Sequence, residues 1–480
     1  MNEKAKLCAI FPAEVSEPQK NLLRELERRC NVEFVVKETH YAGKDSLDYA
    51  MQRNPDVYVS HAKKNEVLQY VEESKGGLDG MILFPAHFDR RFFLTGLPTL
   101  FVDYVPSLQI GFKDAVALGR RYETKFVTAT YGSIDVSKSV AEARMDDLVE
   151  KIELFNSIRK MKSTKIMDVQ VRGFGSEPHE HWWRLNQEEY LQKLKESLGM
   201  SAVIVDYRDL FKECLKAEEE KARKIAEKWM EEQSPTKAIR NRRNVGGVTK
   251  EEVTKAAKLY LAGDKMMKEL GCNAITMDAT TWAACESFAE SIGEEYLVSG
   301  SLPLTEFRLH GIPTCCQSDM EGLVTQALGE YVSGRPGLHG DFVIDPFNEV
   351  AQIGHCNAPI NPYGDDRRVA YSIGGESLRR PQVYADLPQE GPVTTIKANV
   401  LQRKISIWTG ELVPGESIYK DFFESYCCNK LVAKTNAKLI YDNYDYRTFG
   451  NHNCCFYGDF RDKIKYIASL VGFEVVEQDK

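Results

Sequence analysis

From Cys316 the chain reads C-Q-S-D-M-E-G (316–322), then a helical run, then G-D-F-V-I-D-P-F-N-E (340–349), then G-H-C-N-A-P (354–359). This stretch is the seam between two textures. Before it, short apolar runs alternate with amphipathic ones. After Asp345 the chain is strand-like segments parted by Gly, Pro and Asn. The first texture predicts a parallel sheet with helices on both faces; the second predicts an antiparallel sheet or barrel.

Working back from the seam, Gly311–Cys316, Ala274–Met277, Ala202–Asp206 and Ile166–Val171 read as buried strands. Thr249–Leu270 and the highly charged Lys212–Gln233 read as helices, the latter a solvated face with i,i+4 ion pairs. Nearer the N-terminus, Leu7–Phe11, Val32–Val36, Val57–Ser60, Gly80–Phe84 and Thr99–Val105 read as strands. Glu17–Arg29, Lys64–Ser74 and Val136–Lys160 read as helices, the first with Leu22, Leu23 and Leu26 on one face. No G-x-G-x-x-G follows the first strand, so a dinucleotide site is not supported. Working forward, Val369–Ile373, Val393–Val400, Lys404–Leu412 and Leu431–Ala437 read as strands, with a closing helix Lys463–Leu470 and strand Phe473–Glu477. These readings divide the chain at 1–160, 161–340 and 341–480. The fold class is α/β, with two doubly wound parallel-sheet domains followed by a β-rich, barrel-like one.

The 480 residues are 43 % hydrophobic and 28 % charged, a globular profile. A net charge of −8 argues against a nucleic-acid surface. No run reaches the roughly 18 apolar residues of a membrane span, and the start of the chain has no signal-length apolar stretch. The expected location is the cytoplasm, and the expected state of the 12 cysteines is free thiols.

Chemistry concentrates at the seam. Gln317, Asp319 and Glu321 follow a short apolar strand and precede a helix, the place where ligands bind in such sheets. Asp319 and Glu321 also suit a helix N-terminus, so capping and function stay open for Asp319. Asp341 is flanked by Gly340 and Phe342, and a buried carboxylate there needs a partner charge, for which a divalent cation serves. His355 in G-H-C-N and His452 in G-N-H-N are the imidazole candidates. Mixed carboxylate and imidazole donors suit an ion such as Mn²⁺. Aromatic faces suit sugar rings, which draws notice to Trp182 and Trp183 in P-H-E-H-W-W and to Trp408 in I-S-I-W-T-G. His87, His179 and His181 are weaker candidates.

Two segments carry a resemblance. His452 through Gly458, Asp459, Ala468, Ser469 and Glu474 resembles the final segment of the L-fucose isomerase and L-arabinose isomerase superfamily. Cys316–Asp341 resembles that family's C-E-x-D-x-x-G segment and its downstream metal-binding acid. The similar regions are residues 311–360 and 448–478. The resemblance implies that Asp341 is a metal ligand and proton shuttle, that His452 is a ligand, and that His355 is the extra ligand of the arabinose branch. Where the family has its metal-holding, proton-moving glutamate, this chain has Gln317, which keeps a donor oxygen but is no base near neutral pH. Proton transfer is then expected from Asp341 with a relay through Asp319, Glu321 or metal-bound water. The implied protein is a Mn²⁺-dependent aldose–ketose isomerase working through a cis-enediol, assembled as a homotrimer or homohexamer. The alternatives are a sugar-binding relative with altered catalysis and a metal-dependent aldolase or epimerase.

Overall fold

The computed structural model describes residues 4–11, 14–39, 57–84, 90–103, 125–131, 137–170, 187–237, 245–277, 299–376, 379–419 and 429–480. The chain forms two compact units, Met1–Lys160 with Asp462–Phe473, and Met161–Arg461 with Glu474–Lys480. It is α/β; the described residues form two parallel sheets, one mixed sheet and a two-stranded antiparallel hairpin.

The first unit holds β1 (Ala5–Phe11), β2 (Val32–Glu38), β3 (Gly80–Leu83), β4 (Thr99–Asp103) and β5 (Phe126–Thr130). They pair in the order β2-β1-β3-β4-β5, all parallel. This is a doubly wound order, reversing direction beside β1. Helix α1 (Glu17–Arg29) turns Leu22, Leu23 and Leu26 inward, and Gln19 reaches back to accept from the Ser16 N–H at 2.9 Å. Val57–Ser60 is not a strand but the first turn of α2 (Val57–Ser74). A four-residue apolar run does not separate strand from helix, and here it is continuous with a helical run.

The second unit starts with β6 (Lys165–Gln170), β7 (Ser201–Asp206), β8 (Ala274–Met277) and β9 (Thr314–Cys316), parallel in the order β7-β6-β8-β9. The expected single helix 212–233 is two, α3 (Tyr207–Lys216) and α4 (Glu219–Glu232). Asp206 caps α3 by accepting from Arg208 N–H, and Ala217 and Glu218 adopt extended backbone that breaks the run. Helix α5 (Lys250–Leu270) has Thr249 and Glu252 as a capping box and ends at Gly271 in the left-handed region. Helix α6 (Met320–Ser333) leaves the tip of β9.

The remaining strands are β10 (Leu338–Asp345), β11 (Val350–His355), the hairpin β12 (Tyr371–Glu376) and β13 (Arg379–Ala385), then β14 (Pro392–Asn399), β15 (Lys404–Leu412), β16 (Asn429–Lys434), β17 (His452–Tyr457) and β18 (Glu474–Glu477). Pairing runs β14-β17-β10-β11-β16-β15, and β15 returns to β14, so six antiparallel strands close a ring. β18 adds to β15 in parallel. Leu338, Phe342, Ile353, Val393, Trp408, Leu431, Cys455 and Tyr457 share one buried cluster. Alternation along β10 and β17 then turns His339, Asp341, His452 and Cys454 to the other face, where α6 packs.

Candidate metal centre

The site is built where β9 ends. Gln317 and Ser318 both have positive φ, 63° and 51°, a costly pair for residues with side chains. Local bonds hold the turn. The Ser318 hydroxyl donates to Asp168 on β6, and Asp319 N–H donates to the Cys316 carbonyl at 3.2 Å. Asp319 then caps α6, its Oδ1 accepting from Gly322 N–H at 2.8 Å.

The other oxygen of Asp319 faces the barrel. His339 Nε2 and His452 Nδ1 each lie 3.1 Å from Oδ2, with Lys397 Nζ at 3.6 Å. Capping and site building are therefore one carboxylate's two tasks. In the β10–β17 register Asp341 lies directly opposite His452, and Asp341 Oδ1 is 3.3 Å from His452 Nε2. Asn451 donates to the same Asp341 oxygen at 2.7 Å. His452 thus sits between two carboxylates. Gly322 makes this possible: a Cβ there would collide with the Asp319 carboxylate and lie 2.5 Å from His339 Nε2.

The rings of His339, His355 and His452 gather, with centroids 4.6 Å apart for His339–His452 and 5.5 Å for each of the other pairs. His355, the last residue of β11, turns toward sulfur, its Nδ1 3.2 Å from Cys316 Sγ and 3.1 Å from Cys356 Sγ. Two groups of buried residues could hold a metal ion, Cys316 with His339 and His355, and Cys315 with Asp319 and His339; in each the donor atoms lie within 4.8 Å of one another.

The charges are strongly coupled. Burial alone would raise Asp319, but Lys397, His339 and His452 outweigh it and hold the carboxyl well below its usual range. Burial opposes ionisation of Asp341 too, yet His452 brings it down to about 2. Burial works against a charged His452, but Asp319 and Asp341 push it up to about 10. His339 goes the other way, held well below its usual value because burial exceeds the pull of Asp319. Glu321 is raised to about 7 by burial, with Lys397 opposing and Asp319 reinforcing. Lys397 stays charged: burial lowers it, and Asp319 and Glu321 more than compensate.

A cleft of about 280 Å³ opens beside this cluster, lined in part by Asp319, Glu321, Lys397, Arg447, Asn451 and His452. Asp341 and His452 meet; Asp319 and Glu321 stand beside them. Gln317 lies on the turn leading in, and His355 is one ring away with both ring nitrogens beside the Cys316 sulfur. Trp408 does not line the cleft. It is 1 % exposed and stacks on Phe342 at 5.7 Å inside the barrel core, because Phe342 and Asp341 are neighbours on a strand and face opposite ways. Trp182, Trp183, His87, His179 and His181 lie outside the described residues. Sequence reasoning missed His339, Lys397 and the thiols of Cys316 and Cys356. A signal for His339 was present: in L-H-G-D it stands two residues from Asp341, which on a strand means the same face. The described cysteines are free thiols, and among the described residues no helix is long and apolar enough to cross a membrane. No protein-family model matches the chain, and no curated protein matches it.

Proposed function

We propose that the protein is a divalent-metal-dependent aldose–ketose isomerase that moves a proton between adjacent sugar carbons through a cis-enediol. The observation that carries the reading is the meeting of Asp341 and His452, distant in sequence, at 3.3 Å, with His452 lining a cleft that Asp319, Glu321 and Lys397 also line. Their chemistry fits an ion: two ionised carboxylates flank one imidazole, and that donor mix suits Mn²⁺. Asp341 and His452 would hold it, His452 losing its proton as it binds. The ion supplies Lewis-acid polarisation of a sugar carbonyl.

Asp341, pushed down to about 2, is a poor base. Glu321 is better tuned, since a carboxyl near 7 both accepts and returns a proton at neutral pH. In this reading Glu321 takes the proton from C2 and delivers it to C1. Lys397, charged and buried beside it, offsets negative charge building on the substrate oxygens. Arg447 and Asn451, which line the same cleft, would offer donors to sugar hydroxyls. The reading includes the finer arrangement of two doubly wound domains and a β-rich third, divided at 1–160, 161–340 and 341–480, and a trimeric or hexameric assembly.

The test is solvent deuterium incorporation at C2, followed by NMR, over a panel of deoxy, pentose and acidic sugars with Mn²⁺ present. Exchange with an aldose and formation of its ketose is the expected result. Full exchange after exhaustive chelation, with metal content verified, would sink the metal-dependent mechanism. Gln317 favours a second reading, a sugar-binding relative with altered catalysis, because an amide stands where the resemblance implies a glutamate. Tight sugar binding without exchange, and exchange appearing only in Gln317→Glu, would select it. Cleavage products or an epimer would select an aldolase or epimerase.

A further inference from the structure

We propose that Cys316, Cys356, His339 and His355 form a second metal seat, a thiolate–imidazole site for a borderline ion such as Zn²⁺, adjoining the carboxylate face of Asp319, Asp341 and His452. Four observations carry it. The first is donor spacing. Cys316 Sγ lies 3.2 Å from His355 Nδ1 and 4.0 Å from His339 Nδ1, and His355 Nδ1 lies 3.1 Å from Cys356 Sγ. Tetrahedral zinc with bonds of about 2.0–2.3 Å needs its donors ~3.3–3.8 Å apart. These three spacings lie on either side of that range, and the donor atoms of Cys316, His339 and His355 all fall within 4.8 Å of one another; Cys356 joins them through its 3.1 Å approach to His355.

The second is the way His339 is held. Its Nε2 is 3.1 Å from Asp319 Oδ2, while its Nδ1 looks toward Cys316. A histidine that donates one ring N–H to a carboxylate presents the other nitrogen as a lone pair, the usual arrangement behind a metal-bound imidazole. The third concerns His355. Both of its ring nitrogens lie beside Cys316 Sγ, Nδ1 at 3.2 Å and Nε2 at 3.1 Å, and Nδ1 accepts from Cys356 N–H at 2.8 Å, so a turn of the ring that exchanges that hydrogen bond for the ion makes it a ligand.

The fourth is charge. All four residues are buried, with His339 0 % and His355 2 % exposed. On binding, each thiol gives its proton to solvent as a metal–sulfur bond forms. Two thiolates, two neutral imidazoles and a dication sum to zero, the form a buried site tolerates best. Sulfur donors also set this seat apart from the neighbouring oxygen-rich one, because thiolate selects softer ions and carboxylate harder ones. The inference stands independently of the sugar chemistry.

The experiment uses the full chain, stripped by chelation under reducing conditions and reloaded with Zn²⁺ alone. X-ray absorption at the zinc edge should give sulfur scatterers at about 2.3 Å, about two per zinc. Cys356→Ser should lower the sulfur count to about one and weaken Zn²⁺ retention against a competing chelator at least tenfold. Mn²⁺ binding by that variant, read by electron paramagnetic resonance, should stay within twofold of wild type. A zinc shell of nitrogen and oxygen only in the unaltered chain would overturn the proposal without needing any variant to fold. So would wild-type Zn²⁺ retention in both Cys316→Ser and Cys356→Ser. Neither result bears on sugar exchange, so failure here and failure of the isomerase reading are told apart.

Discussion

Glu321 is the residue on which the proposed chemistry turns. Burial raises its carboxyl to about 7, so its basic form prevails only above that pH. Exchange at C2 is expected to climb as pH rises through about 7 and then level off; initial rates between pH 5 and 9 check this. Glu321→Gln should lose roughly 10²–10⁴-fold in exchange rate and the inflection with it. Its Mn²⁺ affinity should change little, because the carboxylates nearest His452 are those of Asp319 and Asp341. Asp341→Asn has the opposite signature. It removes one of the two charges around His452, and Mn²⁺ affinity by calorimetry should fall by at least about 100-fold, beyond the 10–100-fold typical of outer-shell partners.

At the scale of elements, the site depends on how closely α6 approaches β10 and β17. Gly322 permits that approach, and a methyl group there meets the Asp319 carboxylate and His339. Gly322→Ala is expected to cost about 1–3 kcal/mol, as overpacking does, and to weaken metal binding with it. Denaturant unfolding paired with calorimetry reads both, and a variant as stable and as metal-competent as wild type would refute the packing account. Trp408 tests the two faces of the same sheet. It is buried in the barrel core against Phe342, so Trp408→Ala should cost about 3–5 kcal/mol in stability. Sugar affinity of the folded fraction should be unchanged. Loss of sugar affinity without loss of stability would instead return Trp408 to the cleft.

At the scale of the whole molecule, ring closure of six strands brings together the residues that hold the proposed ion. An ion bound only by the folded chain stabilises it, by about 2.7 kcal/mol at a concentration 100 times its dissociation constant. Mn²⁺ should therefore raise the unfolding midpoint, and Asp341→Asn should abolish the rise. Much of this architecture was legible from local pattern. The Leu22, Leu23 and Leu26 face of α1, the helical run of α5 and the apolar run of β8 are encoded within a few neighbouring residues. The break at Ala217–Glu218 and the helical start at Val57 were not, because short runs fit either state until packing chooses. Asp341 and His452 were legible as residue types, and the β10–β17 register alone made them neighbours. His339, Lys397 and the paired thiols of Cys316 and Cys356 became part of the centre only through that pairing and the packing of α6. Alternation and capping are properties of adjacent residues, so the sequence by itself determined the layers. Strand register over a hundred residues is a property of the closed sheet, so only the tertiary structure decided the site.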